Sequence, residues 1–161
     1  MFLNRRDYLN AGKEIALSMV RDGADAAVND AQHTAYQNYI RDLADRLLLK
    51  DWEFELKREW ADDDAYAEVS VSRDEDHFSI HITEGFAGYP PEQRREWLVH
   101  EILHAHTARA EQQIERLEEL LSANDAVKLA KQAFDDEMEI VVQRLARILA
   151  PMMPLPPEVK G

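Results

Sequence analysis

The sequence contains no cysteine and only five glycines among 161 residues. Without thiols there can be no disulfide framework, no thiolate metal site and no cysteine nucleophile. Any metal must therefore be held by His, Asp, Glu and water. Long apolar runs are missing as well: nothing approaches the roughly 18 consecutive apolar residues of a membrane span. The opening MFLNRRDYLNAGKE places its basic pair in a polar segment with no apolar stretch behind it, so a secretory leader is not expected and a cytoplasmic protein is. Basic residues are outnumbered, 19 Lys and Arg against 32 Asp and Glu, for a net charge of −13. Such a balance disfavours nucleic acid and anionic membranes as partners, because both are bound by neutralising phosphates.

Against these absences one stretch stands out. Residues 97–106 read WLVHEILHAH, in which His100, Glu101 and His104 spell HExxH. On a helix, histidines at i and i+4 lie one turn apart on one face, so both imidazoles can reach a single ion. Glu101 then sits at the rim of that stripe, placed to take a proton from a water at the metal rather than to act as a ligand. Leu98, Val99, Ile102, Leu103 and Ala105 surround the stripe with apolar side chains, the setting of a buried helix with one ionisable face.

Around this stretch the chain reads as one domain of α+β class. Residues 13–50 are expected to be N-terminal helices, the stronger running from about 30 to 50 on Ala35, Tyr39, Ile40, Leu43 and Leu47, with His33 solvated or capping in its first turn. Residues 51–84 switch to alternation: Trp52, Phe54 and Leu56, then 66–71, then 78–82. This predicts a small three-stranded antiparallel sheet packed on the HExxH helix. Residues 61–64, with three consecutive aspartates, read as a turn and lack the spaced ligands of a calcium loop. The HExxH helix is placed at 91–108, entered through Pro91. A helical hairpin follows at 109–150, broken by a turn and cap near Asn124, and a proline-rich tail fills 151–161, with Met152, Met153 and Leu155 against the body.

Two histidines need a third protein ligand. His106 lies about 200° round the helix from His104, and Glu111 about 10 Å along the axis, so neither reaches the same ion from a regular helix. A carboxylate from another helix is required, and the last helix offers Asp135, Asp136, Glu137 and Glu139. Glu139 is the best placed, between Met138 and Val142 on the apolar flank, where an unpaired carboxylate would be costly. Glu137 is the alternative. Gln143, one turn beyond Glu139, can hydrogen-bond a ligating histidine. His81, Tyr89 and His106 are candidates to assist a developing oxyanion, and residues 78–83 to serve as an edge along which an extended peptide pairs.

With HExxH and a glutamate from a later helix, the chain resembles the gluzincin-type zinc metallopeptidases. It resembles more specifically small phage-encoded HExxH proteins whose sheet precedes the motif and whose last helix, here EMEIVVQRLARILAPMMPLP, leads into a proline-rich tail. The resemblance implies a zincin-like fold, a Zn2+ cofactor held by His100, His104 and Glu139, Glu101 as general base, and a peptide or protein substrate. If phage-encoded, the protein would act in the host cytoplasm. Two positions depart from the pattern. Gln143 stands where larger gluzincins carry Asp, and no counterpart of their catalytic His or Tyr follows the zinc helix. The rival expectation is a non-catalytic, metal-stabilised protein that binds a partner through its acidic helical hairpin. Oligomeric state is left open.

Overall fold

Tyr36, Tyr39, Ile40, Leu43 and Ala44 recur at steps of three and four, and the chain winds them onto the buried face of α1, Asp30–Arg46. The computed structural model describes residues 30–58, 67–72, 76–83, 85–121 and 124–158. The helical segment expected from residue 13 and the turn at 61–64 lie outside them. Helix α1 stops four residues short of the expected 50, with neither glycine nor proline to mark the end. Leu48 takes a left-handed φ of 61°, Leu49 N–H donates to the Ala44 carbonyl (2.9 Å) and Leu48 N–H to that of Asp45 (3.3 Å). This is the double closure normally built on glycine. It swings Leu49 into the core and leaves Leu48 84 % exposed. Because Leu48 pays for its φ with steric strain, Leu48→Gly is expected to raise the unfolding free energy by about 0.5–1 kcal/mol. Urea denaturation with an unchanged m-value is the check.

The sheet consists of β1 Glu53–Leu56, β2 Ala67–Ser72 and β3 His77–Ile82, in the order β1-β3-β2. It is mixed, not antiparallel as the alternation suggested. Strand β3 pairs parallel with β1, Phe54 opposite Phe78 and Leu56 opposite Ile80. It pairs antiparallel with β2, Val69 opposite Ile80. The most apolar strand takes the centre: Phe78, Ile80 and Ile82 are buried, with Phe78 edge-on to Trp52 and stacked on Phe54. Charged β1 takes an edge, where Glu53 and Glu55 flank the outer-face His77 at 3.7 and 3.4 Å. That edge is closed by α1. Gln37 donates to the Phe54 carbonyl and accepts from Leu56 N–H, both 2.7 Å, and His33 Nε2 meets the Leu56 carbonyl at 2.7 Å. From His77 to Ile80 strand β3 is paired on both sides, so these residues offer no free edge for peptide pairing.

From β3 the chain passes through Gly85, at a left-handed φ of 74°, into a single 3-10 turn, Phe86–Gly88. Phe86 packs edge-on against Tyr36 of α1. Helix α2, Pro91–Leu120, opens with Pro91 and runs unbroken for 30 residues, past the expected end at 108. Its buried residues end at Ala108. The remaining turns form one arm of a hairpin whose other arm is α3, Asp125–Leu149. Asn124 caps α3 by accepting from Val127 N–H at 3.1 Å.

Pro151 ends α3 through a second 3-10 turn, Ala150–Met152. The tail folds back on α1. Tyr39 donates its hydroxyl to the Pro154 carbonyl at 2.7 Å, Arg95 donates to the Met153 carbonyl at 3.0 Å, and Met153 packs on the core while Met152 and Leu155 stay exposed. Burial pushes the Tyr39 phenol well above its usual range, outweighing the opposing pull of Arg95 and Arg94. The phenol thus keeps its proton in the fold at pH values where an unfolded tyrosine, with pKa near 10, loses it. The stability it contributes is complete below about pH 10 and is lost as pH rises further, by at most about 1.4 kcal/mol per pH unit. Tyr39→Phe should flatten that alkaline decline, measured as urea midpoints at pH 8 and pH 11. An equally steep decline would show that Tyr39 ionises freely in the fold.

Candidate metal centre

The centre is built where α2 and α3 face each other. On α2, His100 and His104 stand one turn apart, with ring centroids 5.0 Å apart and planes turned 78° to one another. Their Nε2 atoms converge to 3.3 Å. From α3, the Glu139 carboxylate straddles both: Oε1 lies 3.3 Å from His100 Nε2 and Oε2 3.6 Å from His104 Nε2. The three donors all lie within 4.8 Å of one another and form a group able to hold a metal ion. Their spacing supports that reading. Four ligands at roughly 2.0–2.1 Å around a tetrahedral ion lie about 3.3 Å from each other, close to the separations between these two imidazoles and the carboxylate. The donor set, two nitrogens and an oxygen without sulfur, suits zinc and other first-row divalent ions.

Exposure grades across the cluster. The side chain of His100 is 9 % exposed, that of His104 19 % and that of Glu139 36 %. The donors thus sit at the mouth of a core rather than inside it, with solvent on the Glu139 side. Glu101 is buried beside His100 on the same helix. Leu98, Val99, Ile102 and Leu103, all buried, fix the helix against the sheet and α1, so the histidine stripe is aimed by packing rather than by the site itself.

Two of the other sequence candidates, Gln143 and His106, bond elsewhere. Gln143 donates to Glu96 Oε1 at 3.3 Å instead of to a histidine, and Arg147 Nε approaches the same oxygen at 3.8 Å. Both helices therefore continue as a ladder, His104, His100 and Glu96 on α2 against Glu139, Gln143 and Arg147 on α3. Glu96 is absent from the sequence candidates although the spacing signals it: it lies four residues before His100, on the histidine stripe. His106 turns away to α1, its Nε2 3.0 Å from the Leu47 carbonyl. His81 lies on the face of β3 opposite the buried Phe78, Ile80 and Ile82. Tyr89 packs edge-on against Trp97 at 4.9 Å, and burial raises its phenol above the ordinary value. Glu111 is held locally, 2.7 Å from the Thr107 hydroxyl, which also lies 3.0 Å from the His104 carbonyl.

Set beside known proteins, the chain matches no family, no curated protein and no solved structure. Among the described residues no helix is long and apolar enough to cross a membrane.

Proposed function

We propose that the protein is a zinc-dependent metallopeptidase of zincin-like type, with His100, His104 and Glu139 as metal ligands and Glu101 as general base. The observation that carries this reading is the meeting of a glutamate from a separate helix with both HExxH histidines, at the spacing a tetrahedral ion requires. When bound, the ion would supply Lewis acidity that acidifies a water and stabilises developing negative charge. The chain's own residues do the rest. His100 and His104 present neutral imidazole nitrogens from a helix held rigid by its apolar flanks. Glu139 offsets one positive charge and ties α3 to α2. Glu101, buried and one residue from a ligand, accepts a proton from the attacking water and returns it to the leaving amine.

Among the described residues three donors converge, which would leave a bound ion a position for solvent, and the partial exposure of His104 and Glu139 would give access to it. A structural zinc site is normally closed by four protein ligands, so the openness favours an enzyme over a metal-stabilised binding protein. The direct test is hydrolysis of a fluorescence-quenched peptide library by zinc-loaded protein. Cleavage that disappears on chelation and returns with zinc supports the assignment. Absence of cleavage by fully loaded protein across the library would turn the reading toward a non-catalytic role.

A further inference from the structure

At the other face of α2, on the side of α1 rather than α3, a second polar group is built into the core. Arg94 is 4 % exposed. One of its nitrogens, Nη1, donates to the Tyr36 hydroxyl, its Nε is buried and makes no hydrogen bond, and among the described residues no carboxylate pairs with it. A guanidinium is not deprotonated in proteins, and a buried charge is ordinarily paired. Tyr36 does not supply the missing charge, since burial pushes its phenol up despite the pull of Arg94 and keeps it neutral. Arg95 repeats the pattern: Nη1 donates to the Met153 carbonyl and Nε is buried without a hydrogen bond. Both arginines stand in the first turns of α2, where the helix dipole opposes a cation and favours an anion.

We propose that this junction of α1, the start of α2 and the tail is a binding site for a small oxyanion, a carboxylate or phosphate group, with Arg94 as its anchor and Arg95 beside it. Each arginine spends Nη1 on a protein oxygen and keeps the side-on edge of Nε and Nη2. That edge is the fork that grips carboxylate and phosphate with two parallel hydrogen bonds. Tyr36 lies in the electrostatic field of Arg94, and Tyr39 in that of both arginines. Arg94 precedes His100 by six residues, about 9 Å along the axis, so the site is separate from the metal centre. Its occupant would lock together three segments that support the HExxH helix.

The test uses the full chain, 15N-labelled, in a chloride buffer free of oxyanions. Sodium phosphate and sodium acetate are titrated separately at constant ionic strength while the arginine Nε–H resonances are followed. The expected result is a saturable shift confined to Arg94 and Arg95, with a rise in Tm of about 3 °C or more at saturation. Both are lost in Arg94→Met; saturation by phosphate or by acetate alone identifies the preferred source. Shifts that are absent, or spread equally over all arginines, would overturn the proposal. So would an Arg94→Met variant whose Tm responds as the parent's does. If Arg94→Met does not fold, Arg95→Met serves in its place, and the wild-type resonances still decide.

Discussion

Glu101→Gln is expected to leave the bound metal in place and lower turnover by about a hundredfold to ten-thousandfold, the usual scale for removing a positioned general base. The substitution keeps the volume and the hydrogen-bonding shape of a buried side chain and removes only its capacity to take a proton. The ligand cluster does not include Glu101, so stoichiometry and affinity for zinc should match those of the parent. Steady-state cleavage of a peptide found by library screening, measured beside metal content, separates the two effects. Because the interaction is made only as the proton moves, kcat should fall with KM nearly unchanged. Full turnover by the metal-loaded variant would remove Glu101 from the mechanism and with it the peptidase assignment.

Chelation is expected to cost the fold a large share of its stability. An ion held by His100, His104 and Glu139 cross-links α2 to α3, and the unfolded chain offers no preformed equivalent. Binding to the native state alone stabilises by about 4 kcal/mol when free metal is a thousand times its dissociation constant. For a chain of this length that corresponds to a fall in Tm of roughly 10 °C on removing the metal. The hairpin shows why the effect concentrates here. The burial of α2 ends at Ala108, and α3 buries few side chains outright beyond Val142 and Ala146, so the outer arms rest on the turns around the metal centre. Glu139→Ala should show a Tm insensitive to both zinc and chelator, by scanning calorimetry. An identical Tm for loaded and stripped wild-type protein would show that the cluster does not bind the ion tightly.

The histidine stripe was more legible in the sequence than the sheet. HExxH is legible because a helix turns a spacing of four into a shared face, and that geometry needs no tertiary information. Glu139 was legible from its place between Met138 and Val142 on the apolar flank of the last helix, and its carboxylate does meet both histidines, although its side chain keeps 36 % exposure. Strand direction was not legible. An alternating pattern is the same read forward or backward, so nothing in Trp52, Phe54 and Leu56 distinguishes the parallel partner that β3 provides. The end of α1 was hidden because Leu48 occupies a conformation usually marked by glycine. Gln143 was drawn to the histidines only because its own partner, Glu96, lay 47 residues away in sequence. Arg94 gave no signal, since a buried arginine and a surface one look alike in a string of letters.

The most direct measurement is metal content by elemental analysis of untagged protein, wild type beside His104→Ala and Glu139→Ala. About one zinc per chain is expected in the wild type and its loss in both variants, with their folds intact by circular dichroism. Wild-type protein that binds no metal even after incubation with zinc would contradict it, and would leave His100, His104 and Glu139 as a proton-bridged contact between two helices.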